Sequence, residues 1–101
     1  MNRNIRLSKR AARNLEKILN YLETEWSHKV KLDFIDKLDS GLTHLSQFPE
    51  SHPKSNLKKG LLRFVLTRQT TIYYKFNSKS LFVVTLFDTR QGSNKLKRET
   101  S

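Results

Sequence analysis

The sequence predicts an α+β domain of order β-α-α-β-β-β, in which a twisted antiparallel sheet is packed on one face by an N-terminal helical hairpin. Three observations predict it. Apolar residues recur at helical spacing through the first half, and the period changes to two after a loop containing Pro and Gly. The third is length: 101 residues suffice for one core and are too few for two. A single domain is therefore expected over residues 1–101, with a basic tail at 92–101 that is mobile unless docked. A content of 36% hydrophobic and 29% charged residues is that of a folding globular chain rather than a disordered one.

The elements follow in order. Arg3-Asn4-Ile5-Arg6-Leu7 alternates polar and apolar, as a short half-buried strand does. Ser8 offers a side-chain oxygen to cap a helix from about Lys9 to Glu25, whose inner stripe is Ala11, Leu15, Ile18, Leu19, Leu22 and Trp26. Ser27 and His28 interrupt that pattern. A second stripe of Val30, Phe34, Ile35, Leu38, Leu42 and Leu45 marks a helix over roughly Lys29 to Gln47, and so short a link makes the two helices antiparallel neighbours. Gly41 inside the second helix costs about 1 kcal/mol relative to Ala, which points to a close contact or a weak point there.

Phe48 to Gly60 holds Pro49 and Pro53 among polar residues and reads as an exposed loop. Leu61–Thr67, Thr70–Phe76 and Ser80–Phe87 are rich in β-branched and aromatic residues and form a three-stranded meander. The buried set expected between hairpin and sheet is Trp26, Phe34, Leu38, Leu42, Ile72, Tyr74 and Val84.

Composition narrows the chemistry. With no cysteine there are no disulfides and no thiolate metal site, and the second half has only Asp88 and Glu99 to offer a hard cation, so neither metal nor other cofactor is expected. The basic N-terminus lacks the apolar run of a signal peptide and no stretch approaches membrane-spanning length; a cytoplasmic protein without membrane association is the expectation. The net charge of +11 is unevenly spread: residues 1–50 carry nine Lys/Arg against seven Asp/Glu, residues 51–101 eleven against two. From Ser51 through Phe87 there is no acid at all, so a polyanionic or acidic partner should meet the second half of the chain.

Alternation along Thr70–Phe76 turns Ile72, Tyr74 and Phe76 to the core and leaves Thr71, Tyr73 and Lys75 on the open face, where Arg63 and Arg90 are expected to join them. Lys58 and Lys59 of the loop extend the same candidate surface. Cations around an aromatic suit a phosphate backbone with a stacked base, although Tyr73 as ordinary sheet packing among solvated cations fits the same pattern. Arg90, directly after the last strand, is suited to a bidentate phosphate contact; the alternative is a salt bridge to Asp88 or Glu99. His28, His44 and His52 are isolated and read as surface residues, so a proton in any RNA cleavage falls to Tyr73, another perturbed group or the target itself.

Leu62-Arg63, Ile72-Tyr73-Tyr74-Lys75 and Leu86-Phe87-Asp88-Thr89-Arg90-Gln91, behind a hairpin with Tyr21-Leu22 and Trp26 at its bend, together resemble the RelE/ParE superfamily of type II toxin–antitoxin systems, the plasmid stabilisation protein family, over essentially the whole chain. The resemblance implies a growth-inhibiting toxin held silent by a cognate antitoxin protein, acting on DNA gyrase in the ParE-like branch or, in the RelE-like branch, as a metal-independent endoribonuclease that cuts mRNA on the ribosome. Candidate catalytic residues, from the open-face reading and this match together, are Arg90, Arg63 and Tyr73, and candidate target- or antitoxin-binding residues are Arg63, Thr71, Tyr73, Lys75, Arg90, Lys58 and Lys59. Arg90 falls where the nuclease branch has its arginine. Thr71 stands where that branch usually has another arginine, Leu96 where it has a tyrosine, and Leu62 and Phe64 approximately where it has paired lysines. These departures favour gyrase slightly as the target. The reading of another class is a non-toxic basic nucleic-acid-binding or interaction module built on the same fold, which toxicity on induced expression separates from a toxin.

Overall fold

In the computed structural model, which describes residues 3–51 and 60–91, the chain runs β1 (Asn4–Leu7), α1 (Lys9–Tyr21), a π-helical turn (Leu22–Trp26), α2 (His28–Gln47), a 3-10 turn (Pro49–Ser51), β2 (Leu62–Val65), β3 (Thr70–Phe76), β4 (Ser80–Asp88) and a 3-10 turn (Thr89–Gln91). The α+β class and the element order are those expected. Ser8 caps α1 by accepting from the Ala11 amide at 2.9 Å, and Ser27 caps α2 by accepting from the Val30 amide at 3.1 Å. Each cap satisfies an amide that has no partner inside its helix.

The sheet order is β1-β4-β3-β2. β2, β3 and β4 form the expected antiparallel meander, but β1 pairs with β4 in parallel, so the sheet is mixed rather than wholly antiparallel. The meander offers an edge at β2 and another at β4; β1 takes the second, where the Asn4 and Ser8 amides tie it by donating to the Lys79 and Val83 carbonyls. As an edge strand β1 is exposed throughout, not half-buried; Ile5 and Leu7 both face solvent.

One core lies between hairpin and sheet. Ala11, Ile18 and Leu22 from the first helical segment, Phe34, Leu38 and Leu45 from α2, and Ile72, Tyr74, Leu81, Val83 and Leu86 from the strands make it up, with Leu42 half-buried against it. Tyr74 is fully buried and its hydroxyl donates to the Pro49 carbonyl at 2.6 Å, which fixes the end of the helical layer to the middle of the sheet. Gly41 makes the close contact its position implied: a Cβ there would meet Leu66 Cδ1 at 2.7 Å and Phe64 Cε2 at 3.1 Å.

Two members of the expected core are displaced, each by a one-residue change of phase. A bulge opposite Tyr73 and Tyr74 gives β4 an extra residue, so Val83 rather than Val84 takes the inward place beside Tyr74. The same irregularity buries the Thr85 hydroxyl, which accepts from the Asn14 side chain of α1 at 3.0 Å. At the hairpin bend the wider π turn carries Trp26 off the apolar stripe of α1, and the indole is 55% exposed instead of buried.

Candidate functional site

Two separate clusters hold the residues that the sequence grouped together. On the sheet face away from the helices, Arg63 of β2 lies directly across from Tyr73 of β3, and Val65 lies across from Thr71. Arg63, Val65 and Lys75 are exposed there, while Thr71 is half-buried. Tyr73 is only 9% exposed because its ring packs edge-on against Phe87 of β4 at 5.7 Å between centroids. Burial pushes the Tyr73 phenol above its ordinary range, against the opposing charge of Arg63. The phenol therefore stays protonated at neutral pH: it is equipped to donate a hydrogen bond and ill suited to act as a base.

Arg90 does not join that face. Thr70 and Asp88 pair at the end of the β3–β4 ladder on the core side, where the Thr70 hydroxyl donates to Asp88 Oδ2 at 2.7 Å. The 3-10 turn after β4 then brings Arg90 back onto the same carboxylate. Arg90 Nε donates to Oδ1 at 2.9 Å, Nη2 to Oδ2 at 2.6 Å and the Arg90 amide to Oδ1 at 2.8 Å. The Asp88 side chain is fully buried and that of Arg90 is 15% exposed. Burial alone would raise the Asp88 carboxyl, but the bonds from Arg90 and Thr70, with the charge of Arg90, outweigh it and hold the group below the ordinary carboxylate range. Of the two readings open for Arg90, the structure contains the salt bridge to Asp88.

The guanidinium also lies over the Trp26 ring, 5.6 Å from its centroid, on the helical side of the sheet. Asp88 and Arg90 thus tie the end of β4 to the bend of the helical hairpin. Sequence reasoning had Asp88 and Arg90 as neighbours but not Thr70 or Trp26 as their partners; the detectable signal was an acid and an arginine two residues apart after a strand, with the only tryptophan at a helix bend. Beside Arg90, a hollow of about 190 Å³ opens between α2 and the β2–β3 turn.

Lys58, Lys59, His52 and Leu96 lie outside the described residues. His28 sits 2.9 Å from Glu23 at the exposed start of α2, and the ring of His44 lies 5.7 Å from that of Phe48 and 5.9 Å from that of Phe64 between centroids. Among the described residues no three His, Cys, Asp or Glu side chains converge as metal ligands, and no helix is long and apolar enough to cross a membrane.

Residues 5–92 match the family model described as the ParE toxin of type II toxin–antitoxin systems, parDE. Among solved structures the chain is similar to the chromosomal ParDE toxin–antitoxin system of P. aeruginosa, with a TM-score of 0.71 at 12% identity, covering 85% of this chain and 95% of that one. It is similar to the E. coli DinJ-YafQ toxin–antitoxin complex, with a TM-score of 0.60 at 15% identity over 91% and 98% of the two chains. The E. coli toxin RelE, in the free state and with two arginines replaced by alanine, gives a TM-score of 0.60 at 12% identity over 99% and 95%. No curated protein matches by sequence.

Proposed function

Because this chain belongs to the ParE toxin family of type II toxin–antitoxin systems, we propose that it halts growth by acting on DNA gyrase, and that its cognate antitoxin covers the outer sheet face around Arg63, Thr71, Tyr73 and Lys75. The observation that carries the choice of target is the bidentate Asp88–Arg90 pair. A ribosome-dependent nuclease needs cations free to meet the charge that grows on the scissile phosphate. Two donors of Arg90 and its net charge are already committed to a buried carboxylate, and Tyr73 is held neutral. With Thr71 standing where the nuclease branch carries another arginine, the outer face keeps cations suited to binding an acidic protein and little that would drive phosphoryl chemistry.

The test uses the full chain expressed in a host without the antitoxin and, in parallel, purified protein mixed with gyrase or with translating ribosomes. Expected are loss of supercoiling activity and intact messages. Transcripts cut within codons only when ribosomes are present, with Arg90→Ala lowering that cutting by about two orders of magnitude or more, would replace the gyrase reading by the nuclease one. Harmless expression would favour the non-toxic interaction module.

A further inference from the structure

We infer that the exposed face of α1, a ridge of cations formed by Lys9, Arg10, Arg13 and Lys17, holds the phosphate backbone of duplex DNA; the choice of DNA over duplex RNA rests on the gyrase reading above. The bulk charge hides this ridge. The first half of the chain has nine Lys/Arg against seven Asp/Glu, but through residue 19 there are six against Glu16 alone, and from 20 to 50 there are three against six.

α1 buries Ala11, Asn14 and Ile18 against the sheet, where the Asn14 side-chain amide donates to the Thr85 hydroxyl at 3.0 Å and to the Leu86 carbonyl at 3.3 Å. Lys9, Arg13 and Lys17 recur at i, i+4 and i+8, and Arg10 stands three and seven residues before the latter two. All four therefore share the opposite side of the helix, and all are exposed. That side looks away from the sheet, and so away from the outer face assigned to the antitoxin.

Neighbouring acids leave the ridge uncompensated. Among the described residues none of its four cations forms an ion pair. Glu23 of the π turn is engaged by His28 at 2.9 Å and by Lys31 at 3.4 Å, Asp33 of α2 by Lys29 at 3.4 Å, and Asp88 by Arg90 at 2.6 Å. Asp36 borders the recess between α2 and β2 with Gly41 and Phe64. Glu16, Glu25 and Asp39 are exposed and pair with none of the four. The arrangement is unfavourable for the helix itself. Like charges stand at i and i+4 twice, and the first turn holds two cations and no acid where the helix dipole is already positive. A ligand of opposite charge relieves both.

The rest of the face selects the occupant. Besides the cations, the exposed residues of α1 are Ala12, Glu16 and Asn20; Tyr21, one turn beyond Lys17, is half-buried against the core. No large apolar side chain stands out to anchor a protein, and no exposed ring to stack an unpaired base. The apolar stripe that a membrane surface would take up is buried in the core. A duplex backbone needs none of these. It carries one charge per about 1.7 Å of its axis, and the ridge from Lys9 to Lys17 runs about 12 Å at about 1.5 Å per residue. About seven phosphate charges fall within that length, enough to meet each of the four cations.

The experiment measures binding of a short labelled DNA duplex of arbitrary sequence by the full chain, without gyrase, across a salt series. Wild type is compared with Arg13→Gln/Lys17→Gln on the ridge and Arg63→Gln/Lys75→Gln on the outer face. Affinity falls with salt on a logarithmic slope of about 0.9 per phosphate contacted, so four contacts lose about 150-fold between about 50 and about 200 mM salt, and two lose about 12-fold. The larger loss is expected for wild type and the outer-face variant, the smaller for the ridge variant. The ridge variant should also melt at or above the wild-type temperature, because repulsion along α1 is reduced, and still co-purify with the antitoxin. A ridge variant that keeps the wild-type salt slope overturns the inference, as does an outer-face variant whose slope falls as far as that expected for the ridge. Tighter binding of single-stranded RNA, duplex RNA or anionic phospholipid vesicles than of duplex DNA overturns the choice of occupant. A wild type that leaves purified gyrase active while the ridge behaves as expected removes the gyrase reading and keeps the ridge site; gyrase inhibition by a wild type that binds no duplex does the reverse.

Discussion

Replacing Asp88 by Asn keeps the shape of the side chain and removes its charge, and the structure allows the cost to be bounded. The carboxylate accepts from Arg90 Nε, Nη2 and amide and from the Thr70 hydroxyl, all between 2.6 and 2.9 Å. An amide has one oxygen, so in either orientation its NH2 group confronts an arginine donor and at least one charge-assisted bond is lost, about 1.5–3 kcal/mol. Arg90 is then left largely buried without its counter-ion; breaking a fully buried pair costs about 3–5 kcal/mol, and the 15% exposure of the arginine side chain lets water recover part of that. A loss of about 2–4 kcal/mol at pH 7 follows, or about 10–30 °C in melting temperature at about 4–8 °C per kcal/mol for a domain of this size.

The same substitution has a predicted pH dependence. Because the folded carboxyl is held below its ordinary value of 3.8, the stabilisation is fully present above that value and is lost as pH falls through the lower folded pKa. The difference in melting temperature between wild type and Asp88→Asn, followed by circular dichroism, should therefore be constant from pH 7 to about pH 5 and shrink below about pH 4. A difference under about 0.5 kcal/mol at pH 7, or one that does not narrow in acid, would refute the latch as a stabilising element.

Tyr74→Phe should cost about 1–3 kcal/mol by leaving the buried Pro49 carbonyl without its donor. The phenol is pushed up to about 12, chiefly by burial and further by Glu50, so its contribution is complete below pH 10 and fades as pH rises through the folded value; the alkaline arm of the wild-type stability profile should be shallower in the variant. Phe34→Ala, at a site 4% exposed in the middle of the core, should cost about 3–5 kcal/mol in urea unfolding, and a loss under about 1 kcal/mol would mean the hairpin is not packed as described. For Gly41→Ala the helix gains about 1 kcal/mol of propensity, while the contacts at 2.7 and 3.1 Å impose overpacking of about 1–3 kcal/mol. The Leu66 methyl can swing aside more easily than the Phe64 ring, so a change between zero and a small loss is expected, and the full propensity gain would show that the contact is not felt.

The sequence alone determined the fold class, the order of the elements and the face on which Ile72 and Tyr74 are buried, because each follows from local periodicity, caps and breakers. Ser8 begins α1 in the structure as the side-chain cap its position marked, and Thr70–Phe76 has the ends its alternation marked. Tertiary structure alone decided the parallel seat of β1 on β4, since no residue within the strand encodes which edge of the meander it joins. It also decided the outward turn of Trp26 and the exchange of Val84 for Val83, because a π turn or a bulge adds one residue to the period and sends every following side chain to a new direction, an event no local spacing announces. Arg90 is the sharpest case. Its position after the last strand was legible, but whether a guanidinium faces a phosphate or a carboxylate depends on which charge the fold buries beside it, and the Thr70–Asp88 pairing that buries that charge exists only once β3 and β4 have found each other.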